Sequence, residues 1–364
     1  MEISGYILTI NPGSTSTKVA LFKDNKNILQ KNLSHSAEEL DKLGRVVDQY
    51  EYRLGIVLEW FKENDIGLKS LAAVVGRGGL LKPIPSGTYR VTRTMIDDLR
   101  AAVRGEHASN LGAVLAGGIA DRTGIPAFIV DPVAVDEFDD IARISGMPEL
   151  PRRSLSHALN IKAVAYRAAK DEGRPLDRMR MIIVHLGGGI SVAPLKDGRI
   201  IDVNCANDYG PFSPERTGGV PTGALIKIAF SGKYTQKELK KKVIGKAGLV
   251  GYLGTNDARE VEKRIEQGDR QAELIFNAMG YQIAKEIGAM ATVLKGKVDF
   301  IVLTGGLAHS KRLLSIVTGL TGFIAPVKVY PGEDEMQALA EGACRVLTGE
   351  EDARIYEEEV KRFD

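Results

Sequence analysis

The chain has 364 residues, a length that suits about two domains and buries a core large enough to fold without disulfide or metal staples. Lys and Arg total 49 against 47 Asp and Glu, so the net charge of +2 excludes a strong overall field toward nucleic acid or a membrane, and neither is expected as a partner. Cys205 and Cys344 form no CxxC pair, which removes a disulfide framework and a cysteine zinc site and points to a reducing, cytoplasmic setting.

Short apolar runs bounded by Gly, Asn or Pro alternate with longer helical stretches. Tyr6–Ile10 reads as a buried strand, Thr17–Phe22 as its partner, and residues 27–33 as a third strand beyond a polar turn. Apolar residues at helical spacing predict a helix over 41–63. Residues 71–75 and 127–130 read as strands, and 109–120 as a small-residue helix. The N-terminus lacks a basic segment and is expected not to be a signal peptide.

The second half opens the same way, with strands over 180–186, 190–195 and 200–204. VALFKD (residues 19–24) matches VAPLKD (residues 192–197), and each follows a strand and a glycine-bearing turn. That repeat implies two similar halves meeting near 146–153, where Gly, Pro and Pro interrupt the pattern. A long helix over 269–293, a strand over 299–303, a strand over 327–330 and a last helix from about 334 to 347 complete the chain. The expected class is α/β, with mixed sheets flanked by helices. Six Lys and one Glu over 233–246 read as a solvated helical face, and the charged tail over 350–364 as a solvated helix.

Glycine is 40 of the residues, above the usual level of about 7%, and the excess gathers in loops at strand ends. NPGSTSTK (residues 11–18) joins strand to strand, so it is no Walker A loop; its glycine, hydroxyls and Lys18 suit an anion, as they would also suit a polar turn. HLGGG (residues 185–189) holds the matching place in the second half, and TGGLAHS (residues 304–310) runs from strand through glycine pair toward a helix. Three such loops favour one phosphate-binding cleft between the halves. Arg77 in GRGG and Arg216 in SPERTGG sit among glycines that would leave a guanidinium open to phosphate or carboxylate. Asp131, at a strand end, suits a metal, an arginine or a turn cap. Residues 333–335 begin the last helix with three acids, which the helix dipole favours regardless of function.

NPGSTSTK, GRGG, RRSLSH, HLGGG, SPERTGG and TGGLAHS, in this order, resemble the acetokinase family of the sugar kinase, heat-shock protein and actin superfamily. The resemblance spans essentially the whole chain. It implies two duplicated ββαβαβα domains of the actin-like ATPase, ribonuclease H-like kind: residues 1–150 with a C-terminal helix (338–364) packed back on them, and residues 151–337. It implies ATP/ADP and Mg2+ in an interdomain cleft, transfer of the γ-phosphoryl group to a short-chain carboxylate, and at least a homodimer.

Carried over by position, Asn11, Ser14, Ser16 and Lys18 match the first phosphate loop, and His185 with Gly187, Gly188 and Gly189 the second. Gly305 and Gly306 match the adenosine loop. Arg77 and Arg216 match the arginines that bind carboxylate and phosphoryl oxygens, His157 the histidine on the transferring group, and His107 a further substrate-side histidine. Asp131 matches the carboxylate that helps hold magnesium or orient an arginine, and the magnesium-site glutamate falls on Glu335 by position, with Glu333 and Asp334 as the alternatives in that run. Gly78–Leu81 after the first arginine and Leu155–Ser156 before His157 depart from acetate kinases in the expected acyl pocket. They direct the expectation to longer acids, butyrate and branched acids included. A branched-chain fatty acid, propionate or acetate kinase is the first alternative, and a non-catalytic actin-like nucleotide switch the second, separable by whether ATP turnover requires a carboxylate.

Overall fold

The computed structural model describes residues 3–360. The chain forms two compact units, one running to Asp136 and resuming at Asp334, the other spanning Glu137–Glu333. Residues 137–150, which the sequence reading groups with the first half, lie in the second unit.

In the first unit, β1 (Tyr6–Pro12), β2 (Ser16–Lys23) and β3 (Lys26–Ser34) form an antiparallel meander. Then β4 (Leu71–Arg77), β5 (Thr88–Arg90) and β6 (Ala127–Val130) complete a sheet of order β3-β2-β1-β4-β6-β5, in which β4 runs parallel to both β1 and β6. Residues buried on both faces of β1 mark it as a central strand. Leu8, Ile10, Val19 and Leu21 pack against Leu54, Val57, Trp60 and Phe61 of the helix Tyr50–Glu63 and against Leu111 and Leu115 of the helix Asn110–Ala120.

The second unit repeats the plan. Strands β7 (Arg180–Leu186), β8 (Ile190–Lys196) and β9 (Arg199–Ile200) form the meander, and β10 (Phe300–Gly305) and β11 (Val327–Pro331) add in parallel, giving the order β11-β10-β7-β8-β9. The long helix Arg270–Val293 covers this sheet through Phe276, Met279, Ile283 and Ile287. The VALFKD and VAPLKD segments lie on the equivalent strands β2 and β8. Each ends in a two-residue turn with both central residues at positive φ: Asp24 (50°) and Asn25 (61°) in one, Asp197 (53°) and Gly198 (73°) in the other. Such turns match the right-handed twist of the flanking strands.

Three expectations need correction. The helix over 41–63 is broken: Ala37–Leu43 ends at Gly44 (φ 77°), a 3-10 turn covers Val46–Gln49, and the helix proper is Tyr50–Glu63. The strand over 200–204 shrinks to Arg199–Ile200, because the Asn204 side chain takes over the pairing. Its Oδ1 accepts from the Val192 N–H at 2.6 Å and its Nδ2 donates to the Ile190 carbonyl at 2.8 Å. Of the tail over 350–364, residues 361–364 lie outside the described residues, and the described part is no solvated helix: Tyr356 and Val360 of the helix Tyr356–Val360 are buried in a cluster with Leu81, Met95 and Leu99. The lysine-rich helix Gln236–Val243 contains no buried residue, and Lys233 and Lys242 lie over the Tyr234 ring.

The helix Asn110–Ala120 presses so closely on β4 that a Cβ on Gly112 would overlap the Arg77 carbonyl oxygen, and one on Gly76 would overlap the Gly112 carbonyl. Alanine is the better helix former by about 1 kcal/mol, yet Gly112→Ala should destabilise the protein by about 1–3 kcal/mol through overpacking. Chemical denaturation of the variant checks this; an unchanged or raised midpoint would show that the contact yields.

Candidate active site

In the first unit the site gathers at the carboxyl ends of β1 and β4. Arg77, the last residue of β4, forms an ion pair with Glu335, and the Asn11 amide donates to the other Glu335 oxygen. Three acids begin the last helix, and the structure separates them. Asp334 caps the helix Glu335–Leu347 by accepting from the Gln337 N–H at 3.0 Å, Glu335 turns to Arg77, and Glu333 belongs to the other unit. The glycines around Arg77 serve packing more than access: a Cβ on Gly78 would meet Pro132 and one on Gly79 would meet Asn110 at 2.5 Å.

His107 leads into the helix Asn110–Ala120, and its Nδ1 accepts the Ser109 N–H at 3.2 Å. Packing around the ring, and then the charge of Arg77, lower its pKa and favour the neutral imidazole. Asp131 is 3% exposed at φ 37°, where its carboxylate accepts from the Gly87 N–H at 2.8 Å and its own N–H donates to the Gly87 carbonyl at 3.1 Å. That exchange ties two loops together. Ser14 lies at the exposed tip of the β1–β2 loop, Ser16 opens β2, and Lys18 on β2 is paired with Asn11 in the strand register.

Below that loop, the Thr17 hydroxyl lies 2.8 Å from His35 Nε2 and accepts from Arg53 at 3.1 Å. His35 is buried, its Nδ1 has no partner, and its ring meets Tyr52 edge-on with centroids 5.6 Å apart. Burial, with the charge of Arg53 second, pushes its pKa down to about 4.

In the second unit, His185 on β7 faces Ser191 on β8 in the strand register. His157, the residue before the helix Ala158–Asp171, stacks on His185 with ring centroids 3.9 Å apart. Ser191 Oγ lies 3.0 Å from His157 Nδ1, and Asn160 Oδ1 lies 2.9 Å from His185 Nδ1. The remaining His185 nitrogen is 3.2 Å from Glu333.

Each glycine of the 187–189 run leaves room for a different side chain. A Cβ on Gly187 would crowd His185 and Glu333, one on Gly188 would crowd Glu215, and one on Gly189 would overlap the Arg216 guanidinium. Arg216 donates to Asn207 Oδ1 at 2.9 Å, and its buried Nε has no partner. Ser213 accepts the Arg216 backbone N–H and donates to the Gly188 carbonyl, locking the two loops together. The last glycine pair divides its work. Gly305 (φ 92°) packs against the Leu186 backbone, whereas Gly306 lines a cavity of about 740 Å³. Gly187, Gly188 and Glu333 line it too, with Glu215, Asn256, Asp257, Arg259 and Glu262. That volume accommodates a nucleoside.

Sequence reasoning missed Asn207, Arg53, the His185–Glu333 contact and the cavity wall over 256–262. The wall carries its own local explanation: Asp257 caps the helix Ala258–Glu266 and pairs with Arg259, which lowers its carboxyl to about 2. Nothing in the spacing around Asn207 marks it as a partner of Arg216.

Paired mixed sheets of one topology, with glycine turns at their strand ends, define the actin-like ATPase fold. The chain superposes on an acetate kinase from Porphyromonas gingivalis with a TM-score of 0.80 at 20% identity, covering 94% of this chain and 100% of that one. It also superposes on a propionate kinase from Francisella tularensis with a TM-score of 0.72 at 18% identity, covering 93% and 98%. The sequence profile of the acetokinase family matches residues 150–317. A probable butyrate kinase 2 from Caldanaerobacter subterraneus is 56% identical over 350 residues, 96% of this chain and 99% of its own. Butyrate kinase 2 from Clostridium acetobutylicum is 53% identical over 351 residues, again 96% and 99%. The chain therefore belongs to the acetokinase family, and it is a carboxylate kinase.

Two outcomes are expected. Gly189→Ala should displace the Arg216 guanidinium and lower turnover at least tenfold while the melting temperature stays within a few degrees; full activity would show that Arg216 can shift without loss. His35 has its pKa depressed in the fold, so its contribution to stability is present above about pH 6.5 and is lost as pH falls toward 4. That contribution is about 3 kcal/mol at most, and unfolding free energies of His35→Gln measured across this range should fall less steeply than those of the parent.

Proposed function

We propose that this protein is a butyrate kinase, reversibly transferring the γ-phosphoryl group of ATP to butyrate and to related short-chain acids, with ADP and acyl phosphate as products. The observation that carries the reading is Arg216. Its hydrogen bonds go to a neutral amide, its Nε is left over, and among the described residues no carboxylate cancels its charge. A guanidinium so held is prepared for an anion. The choice of butyrate is supported by the names of relatives more than 50% identical over nearly the full length.

The chemistry asks little of acid–base groups. A short aliphatic acid has a pKa of about 4, so it is already a nucleophilic carboxylate at neutral pH. What must be overcome is the repulsion between that carboxylate and the phosphoryl oxygens, by positioning and positive charge. We assign Arg77 and His107 to the carboxylate, and Arg216 and His157 to the transferring phosphoryl group. Asn11, Ser14, Ser16 and Lys18 serve the phosphates, as do His185 and Gly187–Gly189. Gly306 and the neighbouring cavity receive the adenosine, with Gly305 shaping that turn. The stack of His157 on His185 fixes the imidazole plane, and Ser191 fixes its orientation.

Among the described residues no three His, Cys, Asp or Glu side chains converge as a metal cage. Mg2+ fits such a donor set, since it takes one or two carboxylates together with waters and phosphate oxygens. Glu335, partly exposed beside Asn11 and Arg77, would be its carboxylate, with Asp131 supporting it from the loop it organises. Bound there, Mg2+ would neutralise phosphate charge.

The two compact units correspond in this reading to the two actin-like domains of the family. We further propose a cytoplasmic homo-oligomer, at least a dimer. It is supported by the helix Thr222–Ala229, which buries no residue and carries exposed Ile226 and Ile228 next to exposed Phe230, and by two unpaired cysteines. No described helix is long and apolar enough to cross a membrane.

Incubation with ATP, Mg2+, hydroxylamine and acids of two to five carbons should give acyl hydroxamate, most with four- and five-carbon acids. Each methylene contributes about 0.8 kcal/mol, so shorter acids should be disfavoured by roughly 10–200-fold and not excluded. Arg77→Ala and Arg216→Ala should each lower turnover on the order of 10³-fold, as loss of an arginine finger does. ATP hydrolysis that ignores added carboxylate would instead favour a nucleotide switch.

A further inference from the structure

Arg53, on the helix Tyr50–Glu63, is fully buried, with 0% of its surface exposed. A buried guanidinium is ordinarily paired with a carboxylate. Here each of its hydrogen bonds goes to a neutral oxygen. Nε and one terminal nitrogen donate to Gln49 Oε1 at 3.1 and 2.8 Å, and that same terminal nitrogen donates to the Ser14 carbonyl at 3.1 Å. The other terminal nitrogen donates to the carbonyls of Gly13 and Ser16 at 2.9 and 3.0 Å and to Thr17 Oγ1 at 3.1 Å. Gly13 N–H closes the loop on the Ser16 carbonyl at 2.7 Å.

A trans peptide directs its C=O and its N–H to opposite sides. With the Gly13 and Ser14 carbonyls drawn down onto Arg53, the N–H groups of Ser14 and Thr15 must face the other way. Both residues are exposed, and among the described residues neither amide donates to a protein acceptor. Two adjacent outward amides form an anion seat, and the guanidinium behind them keeps its full charge because its partners are neutral.

We infer that Arg53 is a positioning residue for phosphate binding: it holds the 13–16 carbonyls inward so that the Ser14 and Thr15 amides, backed by its buried charge, receive a phosphate group of the nucleotide. This rests on the phosphoryl-transfer reading above. Lysine in its place would keep the charge, but a single ammonium with three donors cannot bridge these five acceptors.

Two measurements test it. In the unaltered protein, hydrogen exchange of a peptide covering residues 9–20 should slow when ADP is added, at the amides of Ser14 and Thr15. In Arg53→Lys, the KM for ATP and the Kd for ADP should rise at least tenfold while the KM for butyrate stays within twofold. A purely structural role would lower the melting temperature and leave the Kd for ADP unchanged in the folded fraction, which overturns the inference. So does an absence of ADP-dependent slowing in the unaltered protein, a result that decides the matter even if Arg53→Lys fails to fold. Slowed exchange and weakened ADP binding in a protein that makes no acyl hydroxamate would leave Arg53 its role and refute the kinase reading instead.

Discussion

A long charged side chain can be fixed beside the end of a β-strand only where the backbone next to it gives up its own side chains. This exclusion governs both halves of the molecule. Gly112 lets a helix settle onto the main chain of Arg77, and Gly189 gives Arg216 the volume its guanidinium occupies. Each arginine is thereby held by close packing and by one or two directed contacts, at little cost in side-chain freedom.

The two arginines are held differently, and the difference is chemical. Arg77 is already neutralised by Glu335, so an arriving anion must share or displace that partner. Arg216 is oriented by the amide of Asn207 and retains its charge. Arg53 follows the second pattern in the interior, orienting backbone groups without being neutralised by them. Cations kept in place by neutral dipoles suit a reaction whose difficulty is the repulsion of two negatively charged reactants.

Much of this architecture can be read from the residues. The VALFKD and VAPLKD repeat marks two equivalent strands, because a short continuous apolar run ending in a turn dipeptide has few other homes. The glycine loops are visible because glycine at a strand end is costly without a purpose, although their purpose here is to admit Arg216, Glu215 and His185 as much as any ligand. Asn204 reads as a strand residue until its side chain is seen completing β8. Arg53 is hidden altogether, since one arginine on an amphipathic helix looks like a solvated charge. Only the tertiary fold shows that it points inward, some 40 residues along the chain from Gly13. Its effect on the loop is a long-range pairing, which no local pattern encodes.

The ion pair of Arg77 with Glu335 joins positions 258 residues apart. The first unit is interrupted by the whole of the second and is finished by residues made after it, from Asp334 on. During synthesis the early sheet therefore waits, lacking its closing helix and the carboxylate that Arg77 meets, while the continuous unit can complete its core first. Contacts of such separation form slowly, so the first unit can close its core only once the residues from Asp334 on have been made. A ribosome that stalls or terminates shortly before residue 335 would release a chain with one finished half and one half still missing its keystone.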